Sequence, residues 1–146
     1  HATSDNNKAE DSVGPESIIG RNARRRMLDA GVVVANGSYY PVELSNPYIG
    51  LYDSVTRHRR DGEPDGGWYA EQSLTRAETL HSFTLGAAYA AHQEDRLGSL
   101  EPGKWADFIV IDRDYFTCPA SEIDDIVVLE TWVAGKKMFD REDLIE

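Results

Sequence analysis

Residues 31–43 read "GVVVANGSYYPVE". Val32, Val33 and Val34 form a short apolar run of the kind used by a buried parallel strand. Gly37 and Ser38 then allow a sharp turn, and Pro41 stops the run from continuing as a central strand. In α/β architectures chemistry gathers at the carboxyl ends of strands. Tyr39 and Tyr40 stand at that place here. Phenols are neutral near pH 7 and are poor ligands for a divalent metal. Glu43, after the Pro-Val, reads either as an acid in or beside a reaction site or as a structural partner of the turn's backbone.

Upstream, Gly14-Pro15-Glu16 looks like a helix start, because proline is tolerated in the first turn and glutamate favours the positive end of the dipole. Ile18, Ile19, Ala23, Met27 and Leu28 follow at roughly helical spacing, and Gly31 is placed as the C-cap. Helix then strand is half of a β/α repeat. Downstream, residues 44–73 are rich in proline, glycine and charge and read as one long loop, functional or mobile. Within it, Trp68 and Tyr69 either pack plainly or cover a pocket.

Thr75-Arg76-Ala77-Glu78 is a capping box. Ala77, Leu80, Thr84, Ala87 and Ala91 continue it, so the spacing predicts a helix over 75–92 with one small-residue face packed closely. Gly86 costs such a helix about 1 kcal/mol relative to alanine, which points to a close approach there. Beyond Gly98 the texture changes. A Gly/Pro turn leads to a strand at about 106–112, and "DIVVLETWVAGKKMFD" gives strands at 126–133 and 136–139 around an Ala134-Gly135 turn.

At 146 residues there is room for one domain or a large piece of one. The net charge is −11, and residues 98–146 hold 12 Asp and Glu against 5 Lys and Arg. Such a surface repels phosphate backbones, so no nucleic-acid partner is expected. No run approaches bilayer-spanning length, so no membrane partner is expected either. The single cysteine, Cys118, has no internal disulfide partner, reads as an ordinary thiol, and favours a reducing, cytoplasmic setting.

A catalytic zinc centre takes about three protein ligands, often including two closely spaced histidines. His1, His58, His81 and His92 show no such pairing, and His81 and His92 lie about 16 Å apart on one helix. They read as packed or solvated side chains. No phosphate-binding glycine loop and no nucleophile elbow is present. The acids of "IDDI" and "DRD" lack calcium-loop spacing and read as a solvated face.

"HATSD", "MLDAGV", "GSYYPVE", "NPYIGLYDSVTR", "GGWYAEQSLTRAETLHSFTLGAAYA" and "GSLEPGKWADFIVID", in this order, resemble the C-terminal part of the amidohydrolase superfamily, most closely its third family. The resemblance covers nearly the whole chain. It implies an α/β fold: the last β/α units of a metal-dependent-hydrolase barrel over residues 1–97, then part of an accessory β-sandwich over 98–146. It implies that residues 31–37 are the eighth barrel strand and that helix 75–92 packs behind it. His1, at the end of the seventh strand, and Glu43 would stand at the active-site mouth.

The family pattern at the eighth strand is Gly-Ser-Asp, an aromatic, then Pro-Val-Glu. That aspartate is similar to the metal-bound acid/base that activates water in hydrolysis of non-peptide C–N bonds. Tyr39 occupies its position, and a protonated phenol neither binds as a carboxylate nor takes water's proton readily. A complete family member would hold a divalent metal, zinc being the expected ion; this chain offers no metal ligand set of its own. The expectation is therefore a C-terminal hydrolase segment, inactive alone, whose partners are the missing N-terminal barrel portion, a second copy through self-association, and a small-molecule substrate once completed. The alternatives are a non-catalytic degenerate homologue or binding module, and one half of a split enzyme. The opening without methionine fits processing, a partial gene model or an excised segment alike. Open strand edges predict self-association or partial order for the chain by itself.

Overall fold

The computed structural model describes residues 3, 4 and 6–144. Among the described residues are five α-helices, α1 (Asn6–Ser17), α2 (Arg24–Asp29), α3 (Pro47–Thr56), α4 (Arg76–Phe83) and α5 (Leu85–Ala90). Three strands follow the first helices, β1 (Phe108–Ile111), β2 (Val128–Val133) and β3 (Lys136–Asp140). They form one antiparallel sheet in the order β1-β2-β3.

The helix expected between residues 14 and 30 is broken. Gly14 has φ +74 and kinks α1, a 3₁₀ turn spans Ile18–Gly20, and Asn22 takes φ +54 before α2 begins. Ile18 is nonetheless buried, packed with Ala9 and Trp68. The end of α2 agrees with the sequence: Gly31 N–H donates to Leu28 O at 2.9 Å and Val32 N–H to Met27 O at 3.0 Å, the paired bonds of a Schellman cap.

Gly31 is part of the turn that caps α2, and residues 32–37 belong to no helix or strand, a correction to the strand expected over 31–37. A strand exists only through a ladder, and no other described strand lies beside this segment. It is held instead by helices. Asn36 N–H donates to Ser82 O at 2.9 Å, and Asn36 Nδ2 to Ser82 Oγ at 2.8 Å. A Cβ on Gly86 would stand 2.5 Å from Val34 O, so the close approach predicted for Gly86 is made by this segment's backbone. Val34 is buried, whereas Val32 and Val33 remain 46% and 49% exposed.

The long loop expected over 44–73 is also corrected, because α3 lies inside it. Asn46 caps it, its Oδ1 accepting from Tyr48 N–H at 3.0 Å, and Pro47 takes the first turn. Its Tyr48, Leu51 and Tyr52 form the main core with Tyr115, Ile123 and Ile126, and Leu80, Phe83, Ile111 and Val128 pack around them. One core thus joins α3 and α4 to the sheet and its connecting loop. Trp68 is buried and its Nε1 donates to Glu10 Oε1 at 2.6 Å, the plain-packing role.

Both halves of the Thr75/Glu78 capping box form. The single helix expected over 75–92 divides at Thr84, whose backbone (φ −117, ψ −89) leaves the helical region while its Oγ1 donates back to Leu80 O at 2.7 Å. In the sheet, Ala134 (φ +49) and Gly135 (φ +74) make the two-residue hairpin turn expected there. Phe108 and Trp132 stack across β1 and β2 with centroids 5.5 Å apart.

Carboxylates close the loops of this sheet. Asp112 Oδ1 accepts from Val127 N–H, Asp114 Oδ1 from Phe116 N–H, and Asp140 Oδ1 from Glu142 N–H. Arg113 on Asp112, the Phe116 amide on Asp114, and Lys137 on Asp140 each hold the carboxyl below its ordinary range. Groups depressed in this way contribute stability that is complete above the unfolded pKa and lost as pH falls through the folded one. Melting temperature is therefore expected to be flat above about pH 5 and to fall steadily below about pH 4, and Asp114→Asn should weaken that acid dependence. Melts followed by circular dichroism across this range check it; a protein equally stable at pH 3 and pH 7 contradicts it.

Candidate functional site

The extended segment ends at Gly37-Ser38, and the chain then folds back on Tyr39. Val42 and Glu43 N–H groups both donate to Tyr39 O, at 3.0 and 3.3 Å. Tyr39 itself has φ +61, a left-handed conformation uncommon for an aromatic residue. Its side chain is 62% exposed and that of Tyr40 70%. The turn therefore presents Ser38 and Glu43, not the phenols, to the neighbouring cleft.

That cleft has a volume of about 390 Å³. Thr3 and Ser4 form one side, Gly37, Ser38 and Glu43 another, and Asp53 of α3 lies between them and the loop carrying Arg59, Arg60 and Asp61. Ser4 Oγ donates to Glu43 Oε1 at 2.5 Å. Thr3, Ser4 and the Pro-Val-Glu turn thus meet at one cleft. His1 lies outside the described residues.

Beneath the cleft is a buried polar cluster. Arg24 Nη2 meets Asp53 Oδ2 at 2.5 Å, and Arg24 Nη1 donates to Ser54 Oγ at 2.6 Å. Arg57, at φ +59 and fully buried, donates through Nε to Trp68 O at 2.9 Å, its guanidinium 5.0 Å from the Trp68 ring centroid. Burial pushes its pKa down to about 10, opposed by Asp53, so it stays charged at neutral pH. Asp53 Oδ1 and Arg57 Nη2 are buried without a hydrogen-bond partner among the described residues.

The sequence reading missed Asp53, Arg59 and Arg60 as cleft residues. The signals were the Asn46-Pro47 helix start, which places Asp53 two turns along α3, and three arginines within residues 57–60 of a strongly acidic chain. Cys118 is a half-buried thiol 3.6 Å from Arg76 Nη1, whose guanidinium also binds the Tyr115 and Cys118 carbonyls.

The described residues do not fit a divalent metal. Among the described residues no group of three or more His, Cys, Asp or Glu is placed to hold one. Tyr39 is an exposed phenol, and Glu43 already accepts from Ser4. Among the described residues no helix is long and apolar enough to cross a membrane.

The amidohydrolase family model matches residues 1–139, and the chain belongs to that family. It is 33% identical over 117 residues to an N-substituted formamide deformylase of Arthrobacter pascens, covering 80% of this chain and 21% of the relative. It is 30% identical over 118 residues to an imidazolonepropionase of Bdellovibrio bacteriovorus, covering 79% of this chain and 24% of the relative. The crystal structure of an amidohydrolase from Thermotoga maritima MSB8 superposes with a TM-score of 0.60 at 22% identity, over 82% of this chain and 26% of that one, a likeness of fold. The chain thus spans about a fifth to a quarter of the length of the proteins it matches.

Proposed function

We propose that this chain is the C-terminal segment of a metal-dependent amidohydrolase, a family type that hydrolyses non-peptide C–N bonds, and that it does not turn over substrate by itself. Residues 1–97 would supply the last β/α units of the barrel and 98–146 part of the β-sandwich, in a cytoplasmic protein completed by an N-terminal barrel portion. The observation that carries this reading is the extended segment at 32–38, strand-like in sequence but without a ladder, with Val32 and Val33 half-exposed. An apolar groove of about 560 Å³ between α3, α4 and β1, flanked by exposed Ile109 and Phe116, supports it from the sheet side. Self-association of the isolated chain follows from the same exposed apolar surface.

The test is the metal content of the purified chain with and without added zinc. Tightly bound zinc well below one ion per chain is expected. About one ion per chain would contradict the reading and require a self-sufficient site.

A second reading, a non-catalytic homologue with a degenerate site, is favoured by Tyr39 alone. The left-handed backbone at this position suits aspartate far better than an aromatic side chain. Tyr39→Asp should therefore stabilise the chain by about 0.5–1 kcal/mol, raising Tm by on the order of 3 °C. It should leave zinc stoichiometry unchanged, because no companion ligands are grouped for it among the described residues. A destabilised Tyr39→Asp protein would show that the phenol has become structural.

A further inference from the structure

We propose that the cleft beside Ser38 and Glu43 binds a small carboxylate-bearing molecule through the guanidinium groups of Arg59 and Arg60. The chain carries a net charge of −11, yet both of these cations line the same cleft of about 390 Å³, a size suited to a small organic molecule. Glu43, Asp53 and Asp61 line the cleft as well, so what it offers an anion is the open guanidinium donors of the two arginines and not a net positive field.

The acids of the cleft are engaged. Asp53 pairs through Oδ2 with Arg24 at 2.5 Å, Glu43 accepts from Ser4, and Asp61 accepts from the Glu63 N–H at 3.0 Å. The bases are not. Arg59 reaches Asp61 only through Nε at 3.4 Å, and Arg60 reaches Asp124 only through Nε at 3.5 Å. Contacts this long between side chains that are 29% and 59% exposed on the arginine side hold little energy. The Nη groups of both arginines have no protein partner among the described residues, and paired Nη donors are the part of the fork that grips a carboxylate in bidentate fashion. Ser38, on the facing wall, offers a hydroxyl to the remainder of the molecule.

Calling the bound molecule a substrate rests on the amidohydrolase reading; binding itself does not. N-acetylglycine is the probe, observed by saturation-transfer difference NMR, which tolerates an associated protein. N-acetylglycinamide, neutral and nearly the same shape, is the comparison. The expected result is saturable binding of the acid with Kd of order 1 mM, no saturable binding of the amide, and weakening by at least about tenfold in Arg59→Gln/Arg60→Gln. Both side chains lie at the surface, and an unchanged circular dichroism spectrum of the double variant confirms its fold. Equal binding of acid and amide, undiminished binding by the double variant, or no saturable signal overturns the site. Charge-selective binding that persists in an assembled protein without hydrolase activity removes the substrate role and leaves the site intact.

Discussion

Arg57→Ala is expected to destabilise the chain by about 3–5 kcal/mol, the range for stripping one member from a buried charged network. The side chain has no exposed surface, lies against the Trp68 ring and donates to the Trp68 carbonyl. Trp68 N–H returns a bond to Arg57 O at 2.8 Å, so this residue fixes the path of the chain leaving α3. Truncation would leave that carbonyl without its donor, open a cavity beside Trp68, and remove a cation that faces Asp53. Domains of this size have about 5–15 kcal/mol in total, so a large share of the stability would go. Arg57→Met separates the causes. It fills the volume without the charge and should recover part of the loss, since buried ion networks are often replaceable by apolar side chains of similar size. Urea unfolding reads both, with a midpoint shift of about 2 M for the alanine variant. A shift under about 0.5 M would mean that Trp68 is held by its Glu10 and Ile18 contacts instead.

The elements legible from sequence were those decided locally. Thr75 and Glu78 form their box because both partners lie within one turn, and Ala134-Gly135 makes its hairpin because the turn geometry resides in those two residues. Gly86 was readable as a close approach, although what approaches, the Val34 carbonyl, was not. Elements decided by distant partners were misread. Val32–Val34 have strand composition, but a ladder needs a neighbour. The α3 helix was hidden by judging residues 44–73 on their composition as a block, when Asn46-Pro47 and the spacing of Tyr48, Leu51 and Tyr52 were present within it. At the site, the sequence singled out Glu43 and Tyr39. It did not show that Asp53, Arg59 and Arg60 face the same cleft, because their convergence depends on α3 and on the buried Arg57 that ends it.

The glycines of "GSLEPGK" give the second large effect, and they separate two physical reasons for a motif glycine. Gly98 and Gly103 both have positive φ, +87 and +97. A Cβ on Gly103 would meet nothing within 4 Å, whereas one on Gly98 would stand 2.7 Å from Leu85 Cα and 2.9 Å from Ala88 Cβ. Gly103→Ala should therefore cost only the backbone strain, about 1–2 kcal/mol. Gly98→Ala should add the overpacking of α5, another 1–3 kcal/mol, for a total of about 2–5 kcal/mol. The obstruction is backbone on one side and a core methyl on the other, so no flexible side chain can move aside. Because α5 also clamps Val34 through Gly86, pushing it outward loosens the segment that carries Ser38 and Glu43. Amide exchange at Asn36, whose N–H bonds Ser82 O, is expected to accelerate in Gly98→Ala and to stay near the parent rate in Gly103→Ala once global stability is allowed for. Equal destabilisation by the two substitutions would show that the turn's conformation alone, and not the seat against α5, makes glycine necessary at position 98.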